Sequence, residues 1–348
     1  LNERPKNTIL VTGGAGYIGS HTAVALFEQG YEVVIADNLS NSHRFIIDRI
    51  AEITGKTPRF YETDLCDKEA LTELFKREPD IVASIHFAAF KAVGESVQQP
   101  LSYYRNNLES LINLLEVQQS FGVNKLVFSS SCTVYGEPDQ LPVNENSPVK
   151  PATSPYGNTK QIGEEILAEF TRVNSFSAIA LRYFNPVGAH HSTLIGELPN
   201  GVPNNLVPFI TQTAAGKHPA LQIFGNDYQT PDGTCIRDYI HVEDVAAAHV
   251  AALNRLVKTS EVTGFEVFNI GTGRGFSVLE VVGAFEQASG IKLPCVMKER
   301  RTGDIEKVYA DTQRSNQVLN WRAEKTLAEM MSSAWAWEQK LASQQTKA

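Results

Sequence analysis

A chain of 348 residues with 42% apolar and 20% charged side chains can bury a sizeable core, in one large domain or two intimate ones. Its net charge of −8 and the absence of any Lys/Arg stripe argue against nucleic acid or an anionic membrane as a partner. No stretch reads as a membrane span or a signal peptide. Cys66, Cys132, Cys235 and Cys295 are scattered, with no Cys-x-x-Cys and no His cluster at ligand spacing. This predicts reduced thiols in a cytoplasmic protein and no metal.

Thr8 to Thr12 is short, apolar and β-branched, the pattern of a buried strand. Gly13, Gly16 and Gly19 follow, and then a helical pattern carrying Ala23, Leu26 and Phe27. Glycines at this spacing between a strand and a helix let a pyrophosphate approach the helix N-terminus. A second strand, Val33 to Ala36, ends in Asp37, where an acidic residue would grip a ribose diol and repel a 2′-phosphate. The spacing therefore points to NAD over NADP. A plain structural turn with a capping Asp is the competing reading.

Strands are predicted at 59–63, 81–87, 126–128 and 178–181, with helices over 68–77 and 101–119. Alternation of this kind means a doubly wound parallel sheet of the Rossmann type, with ligands at the C-terminal strand ends. Asp37, Asp64, Lys91, Ser131 and Asn185 all fall at or near such ends. After Asn185 the composition changes. A long Gly/Pro/Asn-rich stretch runs to about residue 208, followed by short strands near 222–224 and 234–239, a helix over 242–256 and a strand at 267–270. We divide the chain into a cofactor domain, 1–189, and a smaller α/β substrate-binding lobe, 190–348, with some segments of the second returning to the first. Leu327 to Leu341, with Trp335 and Trp337, reads as a docked helix, and the polar tail from Ser343 as frayed.

The chemistry centres on Ser154-Pro155-Tyr156-Gly157-Asn158-Thr159-Lys160. On a helix starting after Pro155, Tyr156 and Lys160 share one face, one turn apart. A phenol with a pKa of about 10 is a poor base at neutrality, and lowering it by about three units takes about 4 kcal/mol of favourable interaction with a nearby cation. Such a pair is a usable acid/base. The competing reading is a structural tyrosine and a solvated lysine sharing a face by chance.

The glycine loop, Asp64, Ser131 and Tyr156-x-x-x-Lys160 together resemble the extended short-chain dehydrogenase/reductases. The resemblance sharpens at Lys91 to Ser96, Arg182 to His190, Pro203 to Leu206 and Arg237 to Val242, which are similar to the 4-epimerases of UDP-hexoses within that family. It spans about Thr8 to Trp337. The resemblance implies that NAD lies over Gly13, Gly16, Tyr17, Ile18 and Gly19. Its adenosine ribose would meet Asp37, Asn38 and Ser42, and its adenine Asp64 and Leu65. Phe87, Ala88, Ala89, Lys91 and Asn106 would line the cleft, Lys160 would hold the nicotinamide ribose, and Phe184 would lie nearby. For a UDP-hexose substrate it implies Asn185, Asn205 and Leu206 near the diphosphate or ribose, and Gln222, Ile223 and Phe224 at uracil. Arg237, Arg301 and Asp304 would hold the diphosphate and uridine ribose, and Lys91, Ser131, Thr133, Tyr156 and Val308 would face the sugar nucleotide. A guanidinium forks onto a diphosphate as a lysine cannot.

The implied reaction interconverts UDP-glucose and UDP-galactose by transient oxidation at carbon 4, with Tyr156 as base, Ser131 positioning the hydroxyl, and a homodimer formed through the 101–119 and 156–171 helices. Two alternatives are weighed. A 4,6-dehydratase or decarboxylase on this scaffold would need extra acid/base groups; the family's dehydratases carry Asp-Glu after the hydroxyl residue, whereas Ser131 is followed by Cys132, Thr133 and Val134. A non-catalytic NAD sensor would have no reason to keep Ser131, Tyr156 and Lys160 together. Val308, four residues after Asp304, stands where the family can carry a bulky aromatic, which predicts room for an N-acetylated hexose.

Overall fold

The computed structural model describes residues 7–259, 262–301 and 304–345. Strand β1 (Thr8–Thr12) is buried along its whole length, as its apolar run requires, because helices cover both faces of the sheet it nucleates. Helix α1 (Tyr17–Glu28), β2 (Glu32–Asp37), α2 (Phe45–Thr54), β3 (Arg59–Glu62) and α3 (Lys68–Arg77) follow, then β4 (Ile81–His86). The Asp67 carboxylate starts α3 by accepting hydrogen bonds from the Glu69 and Ala70 amides, a cap worth about 1 kcal/mol. A short helix, α4 (Val93–Gln98), precedes α5 (Pro100–Ser120), and β5 (Lys125–Ser131), α6 (Pro155–Val173) and β6 (Ser177–Tyr183) complete the first half. Pro100 at the start of α5 separates it from α4, since proline fits the first helical turn and cannot continue a preceding one.

All seven strands of the main sheet are parallel. Its last strand, β7 (Gly264–Ile270), comes from the second half of the chain and pairs with β6. The order β7-β6-β5-β4-β1-β2-β3 reverses between β1 and β4. In open α/β sheets that reversal opens a crevice beyond the strand ends. One face is packed by α1, α2 and α8 (Val242–Lys258), with Leu26, Ile50 and Leu253 fully buried. The other is packed by α3, α5 and α6 through Leu71, Leu111 and Leu167.

The smaller lobe is a patchwork of short pairings. Asn185–Val187 runs parallel to Tyr239–His241, and Leu221–Phe224 runs parallel to Cys295–Lys298. Ile236–Arg237 is sandwiched between Lys307–Val308 and Phe276–Ser277. Helices α7 (Leu206–Ala214), α9 (Val278–Ser289) and α11 (Leu327–Gln345) enclose a second core of Ile210, Val281, Phe285 and Met331, while α10 (Gln313–Val318) lies near β7. The helix expected over 327–341 continues through Ser343 to Gln345; the rest of the expected frayed tail lies outside the described residues. Among the described residues no helix is long and apolar enough to cross a membrane, and all four cysteines are free.

β5 is longer than its apolar core suggests. Ser129, Ser130 and Ser131 stay in the ladder opposite Leu181, Arg182 and Tyr183. Buried hydroxyls are tolerated there because they find partners: Ser129 hydrogen-bonds the Tyr183 hydroxyl, and Ser130 donates to Glu164.

Two buried imidazoles make the fold acid-sensitive. Burial drags His86 down to about 3, with the Lys160 charge adding to it, and drags His249 down to about 4, partly opposed by the Val245 carbonyl. In the unfolded chain each takes a proton near pH 6.5; in the fold each refuses it until pH 3–4. The unfolded state therefore binds more protons in that window, and stability falls as pH drops through it. His249→Phe should shrink the loss between pH 7 and pH 5 by about 2 kcal/mol, read from urea midpoints. An unchanged loss would refute the assignment.

Candidate active site

The crevice between β1 and β4 is shaped by the glycine loop. Gly13 holds a φ of +69°, and a Cβ there would sit 2.7 Å from the Ala88 nitrogen. A Cβ at Gly16 would stand 3.2 Å from the Gly13 carbonyl, and one at Gly19 would collide with that same oxygen. Loop, helix α1 and the end of β4 are thus pressed together as a cradle of bare backbone, with the Phe87 amide donating to Thr12 O at 3.0 Å. Ile18 packs against the core beneath, and the Tyr17 hydroxyl donates to Gly188 O at 2.6 Å, tying the loop to the chain beyond β6.

Asp37 ends β2 beside this cradle. Its carboxylate accepts from Ala15 N at 3.0 Å, Leu39 N at 2.9 Å and Ser42 Oγ at 2.8 Å, and holds Leu39 in a left-handed conformation (φ 58°). Asn38 donates to Asp64 at 3.2 Å, which brings the two expected adenosine residues side by side. Leu65 is buried below them, its carbonyl held by Asn113 at 3.0 Å. Asn106 hydrogen-bonds Asn107 at 2.9 Å. Ala88 and Ala89 follow β4 at the crevice floor, half-buried.

Ser131, Tyr156 and Lys160 meet at the end of β5. Ser154 caps α6 by accepting from Gly157 N at 3.1 Å, and Pro155 sets its first turn, so Tyr156 and Lys160 lie one turn apart, both buried. Ser131 accepts from the Thr133 amide at 3.2 Å, turning the chain away from the sheet. Lys160 Nζ lies 5.9 Å from the Tyr156 ring centre and 5.0 Å from that of Phe128, and it donates to Ser129 O at 2.7 Å. Burial lowers Lys160 to about 8, with Glu164 pulling the other way.

The lysine does not leave the phenol acidic, contrary to the reading from spacing. Burial pushes the Tyr156 pKa far above its usual value, Tyr183 adds to that, and a hydrogen bond with Ser131 only partly opposes it. Desolvation is the largest cause of the rise, and the Lys160 ammonium is hydrogen-bonded to the Ser129 carbonyl.

Sequence reasoning missed Glu164, one more turn along the same face of α6. It forms a buried pair with Arg182, with Nε at 2.9 Å and Nη2 at 2.5 Å from its oxygens. The spacing 156–160–164 carried the signal; the partner on β6 did not show in it. Asp238 was also missed. It is fully buried and accepts from Thr272 N at 2.9 Å, Gly273 N at 3.1 Å and Ala310 N at 3.2 Å, knotting the segments around Arg237 and Val308.

Across the crevice, Glu197 gathers Lys91 at 3.1 Å and Asn205 at 2.8 Å onto one carboxylate oxygen. Asn205 stands at the N-terminal cap position of α7, ahead of Leu206, with its side chain turned to Glu197 rather than to the helix. Asn185 N donates to Asp238 O at 3.0 Å. In the 221–224 strand, Gln222 faces solvent, Ile223 points into the core and Phe224 stacks under Arg301, whose guanidinium is 3.9 Å from the ring centre. Arg237 and Asp304 approach to 3.8 Å. Thr302 and Gly303 of the Arg-x-Gly-Asp stretch lie outside the described residues. Val308 is buried beside Phe184 and Val134, and the buried Thr133 hydroxyl has no hydrogen-bond partner.

A glycine cradle at the sheet's switch point and a buried Ser/Tyr/Lys set beside it define a dinucleotide-dependent site of the dehydrogenase type. The model of the NAD dependent epimerase/dehydratase family matches residues 9–271. The UDP-glucose 4-epimerase of Bacillus subtilis is 52% identical over 331 residues, covering 95% of this chain and 96% of that protein. Among solved structures, the UDP-glucose 4-epimerase of Stenotrophomonas maltophila, with bound NAD and formylated UDP-arabinopyranose, superposes with a TM-score of 0.94 at 46% identity over 97% of this chain and 99% of that one. The Bifidobacterium longum enzyme in complex with NAD+ and UDP gives 0.92 at 46% identity, over 96% and 98%. The chain belongs to the NAD dependent epimerase/dehydratase family.

Proposed function

We propose that this protein reversibly epimerises UDP-glucose and UDP-galactose at carbon 4, using tightly held NAD. The observation that carries this reading is the burial of Ser131, Tyr156 and Lys160 together at the rim of the glycine cradle, in a chain half identical to a UDP-glucose 4-epimerase over nearly all its length. Gly13, Gly16, Tyr17, Ile18 and Gly19 would hold the NAD pyrophosphate. Asp37, Asn38 and Ser42 would hold the adenosine ribose, and Asp64 and Leu65 the adenine. Phe87, Ala88, Ala89, Lys91, Asn106 and Phe184 would line the remainder. Bound NAD would supply the hydride acceptor and donor for carbon 4 and, when oxidised, a positive charge in the cleft.

The chain's own groups do the rest. Burial raises the Tyr156 pKa, and Lys160, helped by that charge, would offset the cost of the phenolate. Tyr156 then takes the proton from the carbon-4 hydroxyl, which Ser131 positions, and gives it back after the keto-sugar has turned over. Turning demands a firm grip on the nucleotide and a loose one on the hexose. Phe224 and Arg301 offer a stacked surface for uracil beside Gln222 and Ile223, and Arg237, with Asp304, Asn185, Asn205 and Leu206, a polar end for ribose and diphosphate. No carboxylate follows Ser131 in the turn Cys132–Tyr135, which leaves elimination of water without its acid. UDP-galactose added to the purified protein should yield UDP-glucose without added NAD; no conversion even with NAD supplied would overturn the proposal.

We further propose that N-acetylated UDP-hexoses are substrates. Val308 is a small side chain in the buried cluster that also holds Phe184, Thr133 has an unpartnered buried hydroxyl, and Val308→Tyr would add bulk there. That variant should lose UDP-N-acetylglucosamine turnover by roughly 10–200-fold and keep UDP-glucose turnover. Equal losses on both, or no N-acetyl activity in the parent, would refute it. Exposed Leu101 and Ile112 on α5 support a homodimer through α5 and α6, and the free thiols support a cytoplasmic location.

A further inference from the structure

Four imidazoles gather beside the glycine-loop helix, next to Tyr17 but without a role in the chemistry described above. His190 and His191 follow the 185–187 strand, His241 caps α8, and His21 looks out from α1 with its ring centre 6.1 Å from that of His190. Between them stands Glu243, in the first turn of α8. Its Oε1 lies 2.8 Å from His191 Nδ1 and 3.8 Å from His190 Nε2. One ligand atom from each of the three residues lies within 4.8 Å of the other two. Linear spacing hides this set, because Glu243 is 52 positions from His191.

We propose that His190, His191 and Glu243 bind a divalent first-row transition ion of the zinc class. Two imidazoles and a carboxylate suit zinc, nickel or copper; magnesium and calcium prefer all-oxygen shells. The ring of His190 is already oriented: its Nδ1 lies 2.8 Å from Ser192 Oγ and accepts from the Ser192 amide at 3.2 Å, with Nε2 on the side of the carboxylate. Glu243 Oε1 is fixed from behind by the His191 amide at 3.1 Å. On its other oxygen, Oε2, His241 Nδ1 at 3.7 Å and Lys325 Nζ at 3.8 Å lie outside hydrogen-bond range. His190 is buried while the His191 side chain is 73% exposed, giving the ion an entry path and an open coordination position. The ion would replace the His191–Glu243 hydrogen bond and clamp the 189–191 segment to the start of α8. Binding only the folded state, it would raise the melting temperature.

The full chain, purified with its cofactor and stripped of metals with a chelator, is titrated with Zn2+ by calorimetry and with Co2+ by visible absorption. Expected are one equivalent bound, the intense absorption of low-coordinate Co2+, and a rise in melting temperature. His191→Ala, which removes an exposed side chain, and Glu243→Gln should each weaken binding by roughly tenfold or more. His43→Gln and Cys295→Ser, at unrelated ligand residues, should leave it unchanged. Absence of saturable binding by the parent, or binding that survives both His191→Ala and Glu243→Gln, would overturn the proposal.

Discussion

Replacing Tyr156 with phenylalanine is expected to lower UDP-galactose turnover by roughly 10²–10⁴-fold, with NAD content and fold retained. The substitution removes one oxygen from a ring that keeps its packing at the start of α6, so the loss reports proton transfer alone. A structural tyrosine predicts the reverse: a modest change in melting temperature and intact turnover. A sensor that merely holds NAD would likewise be indifferent. The expected effect is large because no other titratable group replaces that hydroxyl: Ser131 is the nearby hydroxyl, and the thiol of Cys132, the next residue, is pushed up to about 12 by burial. Measuring kcat and bound NAD on the same preparation separates the two explanations.

Arg182→Met should destabilise the protein by about 3–5 kcal/mol, because it strands the Glu164 carboxylate in the core. The pair is fully internal, with both side chains less than a tenth exposed, and Ser130 adds a further hydrogen bond to the same carboxylate. Removing both charges in an Arg182→Met, Glu164→Leu double variant should recover much of that loss, since desolvation of the pair cancels most of its attraction. Urea unfolding of the parent, both single variants and the double variant closes the cycle. Additive losses would mean that the pair is not coupled. Glu164 also acts on chemistry, as its charge raises the Lys160 pKa against burial; the double variant should therefore be stable yet slow.

The parts of this molecule written locally were legible. Gly13 to Gly19 sits between a strand and a helix because backbone must be bare there, and Asp37 ends the next strand. Tyr156 and Lys160 are one helical turn apart by spacing alone. What escaped was set by distant partners. The three serines ending β5 lie beyond the strand expected at 126–128, yet they stay in the ladder, with Tyr183 and Glu164 satisfying the hydroxyls of Ser129 and Ser130. The effect of Lys160 on Tyr156 depends on how deeply both are buried and on the Ser129 carbonyl, neither visible in a four-residue spacing. Asp238 looked like one more residue of a motif, and only the fold brings Thr272, Gly273 and Ala310 to its carboxylate. The His190–His191–Glu243 set is assembled by the same kind of long-range closure.

The central claim is that one tightly bound cofactor oxidises carbon 4 and restores it on the opposite face while the nucleotide stays anchored. UDP-galactose deuterated at carbon 4 tests it most directly, with the product UDP-glucose examined by mass spectrometry and NMR in ordinary water containing excess unlabelled NAD and NADH. The account predicts that the deuterium is retained at carbon 4 with inverted configuration. Loss of the label to solvent or to the added cofactor pool would contradict it.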